Sequence, residues 1–177
     1  MADLRQRFVA SWTYSLPFWR RIRFLGGWEI SGIGNVYAGL PFTPTSAINT
    51  LNSTGTQRPN RTGSGVISDW TLKRYFDTGA FATPAPYQFG NSGRDILYGP
   101  GTVQFDIGVL KNFYISEQRG RRLQFRSEFF NIFNTPQFNN PNANIGTAAA
   151  GQITSAGSDV TFQRTEREIQ FALKFYW

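Results

Sequence analysis

The sequence predicts an all-β chain: about five long antiparallel strands that cross a membrane as part of a barrel wall, with long loops at one end and short turns at the other. Three observations predict this. Five segments of ten to thirteen residues alternate apolar and polar positions, the period-2 pattern of a strand with two unlike faces. Soluble strands average about 5 to 6 residues, whereas a strand crossing a bilayer at about 45° needs about 9 to 11. Only 16% of the 177 residues are charged, against about 25% in ordinary soluble domains, so less of the surface is built for water. No run approaches the roughly 18 apolar residues of a spanning helix, which leaves strands as the crossing element.

The first segment, residues 7–16, places Phe8, Ala10, Trp12, Tyr14 and Leu16 on one face against Val9, Ser11, Thr13 and Ser15. In the second, 28–37, Trp28, Ile30, Gly32, Gly34 and Val36 oppose Glu29, Ser31, Ile33, Asn35 and Tyr37, a less clean pattern because two glycines fall on the apolar side. The third, 103–114, sets Val103, Phe105, Ile107, Val109 and Phe113 against Gln104, Asp106, Gly108 and Asn112, with Lys111 interrupting the apolar face. The fourth, 122–134, sets Leu123, Phe125, Phe129 and Phe133 against Gln124, Arg126 and Glu128. The fifth, 167–177, is the most regular: Ile169, Phe171, Leu173, Phe175 and Trp177 against Glu168, Gln170, Ala172, Lys174 and Tyr176.

The connections alternate in length, short at 17–27 and 115–121, long at 38–102 and 135–166. Between Pro41 and Pro100, 31 of 60 residues are Gly, Pro, Ser, Thr or Asn, a composition that disfavours regular elements. All nine prolines lie outside the five segments, as a hydrogen-bonded ladder requires of a residue that cannot donate. Short turns at one end and long loops at the other match bacterial outer-membrane barrels, whose short turns are periplasmic and whose long loops are extracellular. Six of the 18 basic residues, Arg20, Arg21, Arg23, Arg119, Arg121 and Arg122, fall in or beside the short turns. There they would meet anionic headgroups at the periplasmic rim. They lack the motif context of a nucleic-acid surface.

His and Cys are both absent, which excludes the usual zinc and haem ligand sets, a His-based nucleophilic triad and a disulfide framework. Asp106 and Glu128 fall on polar faces of strands joined by a turn, a diagonal step apart. Two close carboxylates could serve glycoside hydrolysis, but the expectation here is a lumen-facing charge network of Asp106, Arg126, Glu128 and Lys174, since such barrels have polar interiors. Neither catalysis nor a cofactor is expected. Asn131 and Asn134, at the outer end of their segment, are the candidates for solute contact, set against the common use of asparagine to satisfy backbone groups where a strand gives way to loop.

The last segment, with Ile169, Phe171, Leu173 and Phe175 leading to the aromatic Trp177, resembles the C-terminal assembly signal that outer-membrane proteins present to the barrel-assembly machinery. Phe89-Gly90-Asn91-Ser92-Gly93-Arg94-Asp95-Ile96-Leu97-Tyr98-Gly99-Pro100-Gly101, then Phe105-Asp106, Lys111-Asn112-Phe113 and the run from Leu123 to Asn134, together with Arg58-Pro59-Asn60 and Gly151 to Ala156, resemble the last part of Oar-like TonB-dependent outer-membrane receptors. The resemblance runs from Arg7 onward. It implies energy-coupled uptake through a barrel of about 22 strands, an N-terminal plug and a segment that engages the TonB complex.

Met1 to Arg7 runs directly into the first alternating segment without the apolar stretch of an export signal. The expectation is therefore a C-terminal piece of a longer protein in the outer membrane. Its partners would be outer-membrane lipid, the assembly machinery, the remaining strands and plug of the parent and, through that N-terminal part alone, the TonB complex. Two alternatives stand beside it. One is a self-contained eight-stranded barrel for adhesion or anchoring, with three further strands between Thr43 and Gly90, best placed at Val66–Phe76. The other is a soluble β-sandwich that binds carbohydrate through its aromatics.

Overall fold

A computed structural model describes residues 4–17, 25–116, 121–157 and 165–177. In chain order the strands are β1 (Arg7–Ser15), β2 (Trp28–Tyr37), β3 (Pro41–Phe42), β4 (Thr45–Ser46), β5 (Asn60–Arg61), β6 (Phe81–Ala82), β7 (Leu97–Tyr98), β8 (Thr102–Ser116), β9 (Arg121–Phe130), β10 (Asn144–Ile145) and β11 (Glu168–Tyr176). A three-residue 3-10 turn, Thr78–Ala80, precedes β6. No helix among the described residues is long and apolar enough to cross a membrane. The chain forms two compact units, one of the long strands and one of the two long connections.

The strand unit is a five-stranded sheet in the order β1-β2-β8-β9-β11. The paired registers of β1 with β2, β8 with β9 and β9 with β11 are antiparallel. Each long strand coincides with one alternating segment, because a single residue period is all such a strand needs to sort its two faces. Residues directly opposite share a face, so Leu173 against Phe125, Phe171 against Ser127 and Ile169 against Phe129 carry one apolar surface across β9 and β11. On the other face, Gln170 lies against Glu128, Ala172 against Arg126 and Lys174 against Gln124. The apolar face is open: Phe171 is 66% and Leu173 65% exposed. Phe125 and Phe171 stack at 6.0 Å and 17°.

The glycines of the irregular second segment have a steric reason. A Cβ at Gly32 would lie 2.6 Å from the Trp12 ring, and one at Gly34 would lie 2.7 Å from the Phe105 ring. Aromatic rings from the strands on either side thus lie across β2 and cover its backbone, where two side chains would otherwise push them off the sheet.

β9 stops at Phe130 rather than at residue 134. Asn131 takes a left-handed backbone with φ of 47°, and Asn134 does so at 51°, a conformation asparagine tolerates better than most residues. The Asn134 N–H then donates to the Asn131 carbonyl at 2.8 Å. Phe133 therefore leaves the strand pattern and meets Phe105 edge-on, with centroids 5.5 Å apart.

In the second unit the two long connections fold together around Phe42, Phe76, Ala80, Phe81, Leu97 and Ile145. Phe76 meets Phe42 at 5.6 Å and Phe81 edge-on at 6.0 Å. Three two-residue pairings close the unit: β3 with β7, β5 with β6, and the parallel pair β4 with β10. Backbone bonds from Tyr75 N–H to Gly151 O (2.8 Å) and from Ile153 N–H to Leu72 O (2.8 Å) tie the connections to each other. Val66–Phe76 holds no strand; Thr71 and Arg74 make an isolated bridge. That corrects the eight-stranded alternative, since the proline- and glycine-rich connection spends its backbone groups on short, non-repeating bonds instead of a ladder.

Candidate functional site

The polar face of the sheet brings the ionisable residues together, and the register decides which of them meet. Arg126 and Glu128 are two apart on β9 and so project the same way; Arg126 Nη2 bonds Glu128 Oε1 at 2.5 Å. Asp106 lies two residues beyond the Gly108–Glu128 pair, a diagonal step from Glu128, and turns to other work. Its Oδ1 accepts the Asn131 N–H at 2.8 Å and Gln104 Nε2 at 3.0 Å. Lys174 faces Gln124, one diagonal step from Arg126 and two steps from Glu128. Among the described residues it has no carboxylate partner. The four expected charges thus share a face but divide into an ion pair, a carboxylate that caps a turn, and an isolated ammonium.

Asn131 is not placed to meet solute. It is 1% exposed, its amide donates to Thr135 O at 3.0 Å and Thr165 O at 3.3 Å, and its Oδ1 accepts the Thr135 N–H at 3.0 Å. The side chain is occupied in closing the turn after β9. Asn134 is exposed, and its Oδ1 accepts the Arg167 N–H at 3.2 Å, which fixes the approach to β11.

Toward the short-turn end of the same face, Tyr176 OH donates to Gln124 Oε1 at 3.4 Å and Gln124 Nε2 to Asn112 Oδ1 at 3.0 Å, a polar rung across β11, β9 and β8. The Arg122 guanidinium lies 4.4 Å over the Tyr176 ring. Toward the other end, an open pocket of about 380 Å³ is floored by Gly108 and lined by Ser11, Thr13, Ser31, Asp106 and Glu128. A Cβ at Gly108 would come 2.7 Å from Ser31 Oγ, so the glycine leaves that hydroxyl room.

Lys111 is the cation that pattern reasoning left unexplained. It lies on the apolar face opposite Phe125, yet is 2% exposed. Its ammonium donates to the Gly26 carbonyl and stands 5.2 Å from the Trp28 ring centroid and 5.1 Å from that of Phe113. A charge on this face is tolerable only with such partners. The available signal was a lysine at an apolar-parity position beside Phe113, with a glycine pair just before Trp28.

Of the basic short-turn residues, Arg20, Arg21, Arg23 and Arg119 lie outside the described residues, while Arg121 and Arg122 open β9. Ile169, Phe171, Leu173 and Phe175 line the apolar face of β11, and Trp177, 89% exposed, follows the strand and stacks on Phe175 at 6.3 Å and 28°.

Long antiparallel strands with one open apolar face and one polar face are what a lipid-embedded wall requires. The family model of an outer membrane beta barrel domain matches residues 1–170. The chain belongs to that family, and its place is the bacterial outer membrane. No curated protein and no solved structure matches it. The apolar face is therefore the lipid face, and the polar face is the inner one.

Proposed function

We propose that the chain supplies the C-terminal section of the barrel wall of an Oar-like TonB-dependent receptor, which takes up a solute by energy coupling. Its own work is non-catalytic: wall, outer loops and assembly signal. The observation that carries the wall reading is the open sheet. The β1–β2, β8–β9 and β9–β11 pairs are antiparallel, and β2 meets β8 in reverse order, Gly27 bonded to Asn112 and Gly34 under Phe105, so β1 and β11 run in the same direction. Closing an antiparallel barrel between them requires an odd number of further strands. A barrel of about 22 strands leaves about 17, which is odd. A second copy of this chain would bring a parallel seam at every junction instead. Leaving both edges unpaired in hydrocarbon costs several kcal/mol per group.

The motifs that resemble the Oar-like receptors support the finer reading. Two of them dock on each other in the loop unit, where Ser92 N–H donates to Pro59 O at 3.1 Å. In this reading Ile169, Phe171, Leu173, Phe175 and Trp177 face lipid as the signal to the assembly machinery, and the TonB complex is reached through the plug-bearing part of the parent. Expression of the chain with and without complementary strands tests the wall: the chain alone yields no heat-modifiable monomer, and strands supplied in trans restore one. A monodisperse, heat-modifiable barrel from the chain alone overturns it. Energy coupling is tested in the assembled receptor, where loss of TonB abolishes uptake and leaves the amount of barrel unchanged.

A further inference from the structure

We infer that Lys111 fixes the alignment of β2 on β8, the seam at which the first two long strands join the rest of the sheet. No short turn does this: β2 and β8 are neighbours but are linked in sequence through the long connection that carries β3 to β7. The Asn112 N–H donates to Gly27 O at 2.8 Å, a Cβ at Gly108 would lie 2.7 Å from Ser31 Oγ, and the Phe105 ring lies over Gly34. All three contacts belong to one antiparallel alignment, and it sets Lys111 opposite Trp28. The lipid side of β2 does not select that alignment. Gly32 and Gly34 are two residues apart on one face, so either can take a ring, and glycine-rich strands specify register weakly.

Lys111 does discriminate. In the observed alignment its ammonium is 2% exposed and is held by the Gly26 carbonyl and by the rings of Trp28 and Phe113. A two-residue step that brings Leu110 opposite Ser31 would carry Lys111 opposite Ile30, away from the Gly26 carbonyl, and leave its charge on the lipid face. A charge without partners in hydrocarbon is costly, so the lysine acts against that step by what it would lose. Fixing an alignment is the best-attested use of a lone buried polar group, as with asparagine in coiled coils. A one-residue step is opposed separately, because it would exchange the two faces of the sheet.

This role rests on the lipid-face assignment and not on energy coupling. The chain contains no cysteine, so introduced pairs can report the alignment in the barrel assembled in the outer membrane, by oxidation and mass spectrometry of the linked peptides. Ser31→Cys with Gly108→Cys reports the observed alignment, since the two positions lie within disulfide reach. Ser31→Cys with Leu110→Cys reports the shifted one. With Lys111 in place the second link should form at about one-hundredth of the first. Lys111→Met puts an apolar chain of similar length on the lipid face and should raise the second link about ten-fold or more. The ratio is read on whatever barrel is recovered, so a lower yield does not obscure it. An unchanged ratio overturns the role. Loss of all barrel in Lys111→Met also overturns it, because the ammonium would then be needed for folding itself rather than for choosing between alignments.

Discussion

Asn60 and Asn91 each hold the other's segment. The Asn91 N–H donates to Asn60 Oδ1 at 3.1 Å, and Asn91 Oδ1 accepts the N–H of Arg61 at 2.7 Å. A Cβ at Gly90 would lie 1.9 Å from Arg58 O, so the glycine beside Asn91 lets the two backbones approach. Two stretches some thirty residues apart are thereby joined, which is why both were visible as motifs while their mutual contact was not.

Asn91→Ala removes the acceptor of the Arg61 N–H and keeps its own backbone N–H on Asn60 Oδ1. At about 0.5 to 1.5 kcal/mol for a typical bond, the loop unit should lose stability of that size. Proteolysis should then open it first around Pro59 and Ser92. Asn91→Asp keeps the acceptor for the Arg61 N–H and should lose less. Equal protease resistance of the alanine variant and the wild type would show that the clasp adds nothing.

The Trp12 ring lies across Gly32, so Gly32→Val forces it away. Overpacking of this kind typically costs about 1 to 3 kcal/mol. A double-mutant cycle with Trp12→Ala, read by urea unfolding of the assembled barrel, should recover most of that loss, because the smaller residue leaves nothing to displace. Additive losses would mean that the glycine serves another purpose.

Burial pushes the Tyr75 phenol above its ordinary value. The folded unit then holds the proton more tightly than the unfolded chain. Its contribution is complete below the ordinary tyrosine value of about 10 and is lost as pH rises through the raised one. Tyrosinate absorbance should show a step above the ordinary range that Tyr75→Phe removes. A difference between the two titration curves centred at or below the ordinary value would sink this account.

The five strands were legible because each depends on one local rule. Phe171, Leu173 and Phe175 reveal their face by parity alone, and β11 could be read to within a residue. The loop unit was not legible: its core joins Phe42 to Ile145 across a chain with no periodicity, so nothing local marks those residues as partners. The polar face was legible as a face, but which charges meet depended on register. Asp106 and Glu128 fell a diagonal step apart as their positions suggested, while the Asp106 carboxylate went to the Asn131 turn, whose end the alternating pattern had placed four residues too far along.

The assignment of faces makes the most direct prediction. Leu173 lies in the middle of β11 on the lipid face, 65% exposed, opposite Phe125. Arginine there puts a charge into hydrocarbon at about 2 to 4 kcal/mol near the midplane. Gln170, on the same strand, points the other way and lies opposite Glu128, so Gln170→Arg gains a nearby carboxylate and remains on the wet side. In a receptor carrying this wall, Leu173→Arg should lower the amount of folded barrel recovered from the outer membrane many-fold, and Gln170→Arg should leave it close to wild type. The reverse order would put the polar face toward lipid, and with it Arg122 and Lys174, which have no carboxylate partner among the described residues, so that unpaired charge would be buried in hydrocarbon.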